Sequence, residues 1–243
     1  GQSSQTACAA GTYQSATGQS SCIDADAGNY VGSIGQSSQT ECAAGTYQSA
    51  TGQSSCIDAD AGNYVGSTGQ TTQTECAAGT YQASTGQSAC TDASAGHYVD
   101  STAQTAQTAC LAGTYNANTA STTSSDCLDA DAGNYVGSTG QSSQTACAAG
   151  TYQSATGQSS CIDADAGNYV GSTGQTTQTE CAAGTYQAST GQSSCTDASA
   201  GYYVDSTTQT AQTACLAGTY NTNTASTTSS DCLDASAGYY VGS

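Results

Sequence analysis

CAAGTYQSATGQSSCIDADAGNYVGSTG, Cys42 to Gly69, holds one full period of the chain. Tyr47 and Tyr64 stand 17 residues apart, and each follows a Gly by two positions. Outward from this stretch the spacing persists through Tyr13, Tyr30, Tyr81, Tyr98 and Tyr115. After a three-residue slip come Tyr135, Tyr152, Tyr169, Tyr186, Tyr203 and Tyr220, and a second slip leads to Tyr240. A unit this short cannot bury its own apolar face, so its neighbours must bury it. The expected molecule is an elongated stack of repeats.

Composition points the same way. Among 243 residues there is no Lys, Arg, Pro, Met, Trp or Phe. On average a unit offers about one Tyr and one Val, Ile or Leu, too little apolar surface to offset the entropy of ordering 17 residues. Eighteen acidic residues give a net charge of −18 with no basic side chain beyond His97. Phosphate backbones are repelled, which excludes nucleic acid as a partner, and an anionic membrane surface is disfavoured for the same reason. No apolar run is long enough for membrane insertion. Cations, neutral glycans and water are the partners such a surface tolerates.

Fourteen cysteines recur at fixed steps. Their even count and regular spacing read as a disulfide framework made in an oxidising, extracellular compartment. Close ligand pairs of the C-x-x-C kind, which zinc would require, do not occur. Two ladders fit the spacing: one with partners 14 or 17 apart, the other with partners 20 apart. The second leaves Cys8 and Cys232 unpaired within the chain.

Aligned on tyrosine, the units are of two alternating kinds. One carries Cys five places before Tyr, as Cys42 does; the other carries it eight places before, as Cys56 does. The stretch Cys42–Cys56 resembles cysteine-rich repeats of the ephrin-receptor-like family, which read C-x-x-C-P-x-G-T-Y-x(4)-G-x(3)-C, and the likeness extends over every repeat. Here Ala stands where the family often has Pro, and one cysteine per unit is dropped in alternation. In the family each unit carries both cysteines, so the concerted loss implies that a whole bridge is removed each time. The resemblance therefore favours the pairs Cys8–Cys22, Cys42–Cys56, Cys76–Cys90, Cys110–Cys127, Cys147–Cys161, Cys181–Cys195 and Cys215–Cys232. The repeat pattern is also similar to that of glycan-coated extracellular tandem-repeat fibril proteins.

Paired units make repeats of 34, 34 and 37 residues. Residues 1–41 form a single leading repeat, 42–146 a super-repeat and 147–243 a second copy whose last repeat is incomplete. Val241-Gly242-Ser243 and Gly1-Gln2 match the interior phase with one residue missing, so copies of the chain are expected to continue one another head to tail. Locally, Tyr after Gly reads as a short strand and Thr-Gly-Gln as a turn; no 3.6-residue apolar pattern calls for a helix of note. The fold class expected is mainly β with many turns.

Little in the chain suits catalysis, and a non-enzyme is expected. His97 occupies a position that is Asn or Tyr in sibling repeats and reads as a surface substitution. Asp24 with Asp26, Asp58 with Asp60, Asp129 with Asp131 and Asp163 with Asp165 alternate before a Gly turn, as in calcium loops. The downstream Glu of an EF-hand is missing, and the alternative is Asx-turn chemistry on a soluble surface. N-x-[ST] sequons do not occur. Thr51, Ser54, Ser55, Thr68, Thr119, Ser121, Thr122 and Thr123 are the candidate O-glycan carriers. The function expected is a structural extracellular fibre coated with O-glycans; the alternative is an adhesin or receptor stalk presenting a binding domain.

Overall fold

The structure, a computed structural model, describes residues 4–242. The head-to-tail match through Gly1, Gln2 and Ser243 lies outside the described residues. The chain is a disulfide-stapled tandem repeat of small antiparallel hairpins, thirteen among the described residues, every strand two residues long. The only helical turns among these residues are two of the 3-10 kind, Ser124–Asp126 and Ser229–Asp231, one in each three-residue insertion.

One turn starts the first strand of each hairpin. The Thr46 amide donates to the Ala43 carbonyl (3.0 Å), and the Thr46 hydroxyl donates to the same oxygen at 2.8 Å. Gly45, at the third turn position, has φ +90°, a value that L side chains resist. Thr46–Tyr47 then pairs with Ile57–Asp58, Tyr47 opposite Ile57. Seventeen residues on, Asn63–Tyr64 pairs with Thr74–Glu75 in the same register.

Coils are joined by a fixed set of backbone bonds. The Ala25 amide donates to Gly11 (2.8 Å), Gly28 to Gln48 (2.7 Å), Val31 to Gln53 (3.0 Å) and Gly35 to Cys8 (2.8 Å). The set recurs one period later from Cys42, Gly45, Gln48 and Gly52. Because these bonds use the main chain, side chains are free to vary where they do not face a neighbour.

The chain divides into two compact units. One comprises Gly1–Cys110 with Asn116–Cys127, and the other Leu111–Tyr115 with Leu128–Ser243. In the first, the buried column is Ala25, Cys42, Ala59, Cys76, Ala93 and Cys110, with Val31, Val65 and Val99 beside it. In the second it is Ala130, Cys147, Ala164, Cys181 and Ala198, with Val136, Val170 and Val204. All are at most 2 % exposed.

Small residues are required for a further reason. A Cβ on Gly45 would collide with the Gly86 carbonyl oxygen, two coils on, and Gly11 meets Gly52 in the same way. Gly45→Ala therefore combines a clash with an unfavourable φ, whereas Gly18→Ala meets nothing within 4 Å and carries only the φ cost. Gly18→Ala should lower stability by roughly 1–2 kcal/mol and Gly45→Ala by clearly more, read by chemical denaturation followed by circular dichroism. Thr208, a β-branched residue at φ 63°, should give the opposite sign: Thr208→Gly is expected to stabilise by about 1 kcal/mol in the same assay.

Candidate functional site

The element that most distinguishes this chain is the closure of each coil, and it comes in two forms. The covalent form joins Cys8 to Cys22, Cys42 to Cys56, Cys76 to Cys90, Cys110 to Cys127, Cys147 to Cys161, Cys181 to Cys195 and Cys215 to Cys232. The ladder present is thus the one with partners 14 or 17 apart. No cysteine among the described residues is free. Cα atoms of the pairs lie 5.6–5.8 Å apart, within the usual disulfide range.

The second form stands in the alternate units. Ala25 takes the phase of Cys8, and Gln39, 14 residues on, takes that of Cys22. The Gln39 side chain reaches back to the residue after Ala25. Its Oε1 accepts from the Asp26 amide at 2.7 Å, and its Nε2 donates to Asp26 Oδ2 at 2.7 Å. Asp60 with Gln73, Asp131 with Gln144 and Asp165 with Gln178 repeat both bonds. Where Ser replaces Asp, the carboxylate arm is lost. Only the bonds from the Ser94 and Ser199 amides to Gln107 and Gln212 remain, each 2.7 Å.

Inside each bridged loop a second amide holds the backbone. Gln48 is 4 % exposed; its Nε2 donates to the Ser55 carbonyl (2.8 Å) and its Oε1 accepts from the Ala50 amide (3.1 Å). In the longer loop Asn116 does this with a shorter reach. It donates to Ser121 Oγ at 2.7 Å and to the His97 carbonyl at 3.3 Å, and accepts from the Asn118 amide at 3.0 Å. Asn221 and Ser226 repeat the arrangement. Asp126 adds a clamp absent from the shorter loops, accepting from the Thr122 and Thr123 amides at 2.9 and 3.0 Å.

The acidic pairs are not gathered into a cage. Asp26, Asp60, Asp131 and Asp165 are engaged with glutamines, while Asp24, Asp58, Asp129 and Asp163 lie beside Gly52, Gly86, Gly157 and Gly191 of the following coil. Among the described residues no three His, Cys, Asp or Glu come together as metal ligands would. His97 Nδ1 lies 3.3 Å from the Ala95 carbonyl, matching the bond that Asn29 Nδ2 donates to the Ala27 carbonyl (3.3 Å), so the ring takes the place of a side-chain amide. Of the hydroxyl candidates, Thr51, Ser54, Ser55, Thr68, Thr119, Thr122 and Thr123 are exposed. Thr68 donates to Glu41 Oε2 (2.9 Å), and Ser121 is buried against Asn116.

Seven disulfides fit folding in an oxidising environment. No helix among the described residues is long and apolar enough to cross a membrane. No protein-family model matches the chain, and no curated protein aligns with it.

Two results should follow from the closures. Closing a 15-residue loop is worth about 3 kcal/mol, so losing seven exceeds the roughly 5–15 kcal/mol that holds a typical domain. Reduction in mild thiol should accordingly abolish the β signal in circular dichroism. Under oxidising conditions Gln73→Ala, which loses two bonds to Asp60, should cost about 1–2 kcal/mol and Gln107→Ala, which loses one, about half as much, measured by denaturant titration.

Proposed function

We propose that this chain is a structural, non-catalytic extracellular protein whose stapled repeats form a filament bearing O-glycans. The observation that carries the reading is the recurring set of bonds between coils, in which each coil offers its successor the face that its predecessor offered it. A ligand site usually needs one unit that differs, and the interior coils are near copies.

The same recurring face makes copies of the chain the partners proposed, since the bonds that join one coil to the next are main-chain bonds that any such coil can offer. Exposed Thr51, Ser54, Ser55, Thr119 and Thr122 are the positions where sugars would sit without disturbing a coil, whereas the Thr123 hydroxyl is engaged with Ser125 Oγ at 2.6 Å.

Purified material should show long uniform filaments by electron microscopy; isolated short particles at all concentrations would refute the filament. Peptides of natural material that contain Thr51, Ser54 and Ser55 should weigh more than their bare sequence, and masses equal to it would remove the glycans from the reading.

A further inference from the structure

The two closures differ in one property that the repeat does not equalise: only one is covalent. A pull along the chain passes through the sulfur–sulfur bond at each cysteine pair, so residues 43–55 and their counterparts in the other loops carry no load. Between bridges the load runs through six spans of 20 residue steps, from Cys22–Cys42 to Cys195–Cys215. The span from Cys56 to Cys76 is typical. It holds the two-residue hairpin of Asn63–Tyr64 with Thr74–Glu75 and the closure of Asp60 by Gln73. Backbone bonds tie it to neighbouring coils through Gly62, Val65 and Gly69. Nothing covalent closes it.

We infer that the chain is an extensible tether with a built-in stop: under tension the six spans open while the seven bridged loops stay shut, and the disulfides fix the length at which yielding ends. The spans closed through Ser94 and Ser199 hold one bond fewer and open first. This goes beyond the filament reading, because it concerns one chain under load and stands whether or not chains associate.

Force spectroscopy on the full chain, held by tags ligated to its two ends, tests it. At about 3.5 Å per residue step, the distance from Cys8 to Cys232 should stop growing near roughly 460 Å with bridges intact and reach roughly 780 Å after reduction. The double substitution Ala59→Cys/Gln73→Cys places cysteines at the two phases that hold a disulfide in the adjacent units. It should form an eighth bridge and shorten the oxidised limit by about 45 Å, leaving the reduced limit unchanged. An oxidised chain that does not lengthen before its tether breaks overturns the inference. So does a bridged variant whose limit equals that of the parent. Failure of the new bridge to form, seen as two alkylatable thiols, overturns the equivalence of the two closures, and the stop is then decided by the parent chain's own oxidised and reduced limits. Filament formation is read separately on microscopy grids, so either result stands without the other.

Discussion

A coil that buries one Val or one amide has little hydrophobic free energy to hold it, and its order comes instead from being tied at a single phase. That phase lies where the chain re-enters the buried column, at Cys42 or Ala59, and it is tied 14 residues later. Fixing two points of a 17-residue coil removes about 3 kcal/mol of unfolded-state freedom per bridge, a fraction of the cost of ordering the coil. The backbone bonds between coils and the buried column must supply the rest. Bridge and glutamine clasp do the same geometric task with unequal strength, and alternating them gives every clasped span a covalently closed loop on each side.

The core is correspondingly half polar without being unsatisfied. Val31, Gln48, Val65, Gln82, Val99 and Asn116 occupy one phase in succession, apolar and amide by turns. Each amide is answered inside its own loop, as Gln48 is by Ser55 and Ala50, and among the described residues no buried side-chain nitrogen or oxygen lacks a partner. A buried amide with both ends occupied adds register without the penalty of an orphaned group. The carboxylates that do bind, such as Asp26 and Asp126, accept from neutral N–H groups, so these contacts call on no basic side chain.

The period, the β class and the two possible cysteine ladders were legible in the sequence because Tyr and Cys are rare enough to count. Choosing between the ladders leaned on a family likeness. The clasp was not legible, although its signal was present. Counting back eight residues from Tyr47 reaches Gln39, the phase that Cys56 holds before Tyr64. In a chain this rich in glutamine, one more Gln carries no mark of being special until its partner is seen. Asp-Ala-Asp suggested a calcium loop because its oxygens alternate. In the fold the first carboxylate faces the next coil's glycine while the second is held by Gln39 or its equivalents, an arrangement that the sequence alone did not show. Ser121 read as a surface hydroxyl like its neighbours. Only the shortening of Gln48 to Asn116 in the longer loop hinted that another group had to come inward.

The turn that carries Gly69 shows how far coil geometry overrides local preference. Gly69, at φ 68°, donates its amide to the Cys42 carbonyl at 2.9 Å. Ala103 and Thr208 occupy the same phase at φ 56° and 63°, donating to Cys76 and Cys181 at 2.8 and 2.9 Å. In the longer loops Ala120 and Ala225 hold φ 54° and 55° and donate to Ala93 and Ala198. Free peptides would avoid these values, because Cβ crowds the following carbonyl oxygen. They persist because relaxing φ would withdraw an amide from the coil behind. It would also shift the carbonyls of Ala103 and Ala120, which lie against Gly62 and Gly79. The stack therefore dictates the turn, and the residue found there is whatever can bear it.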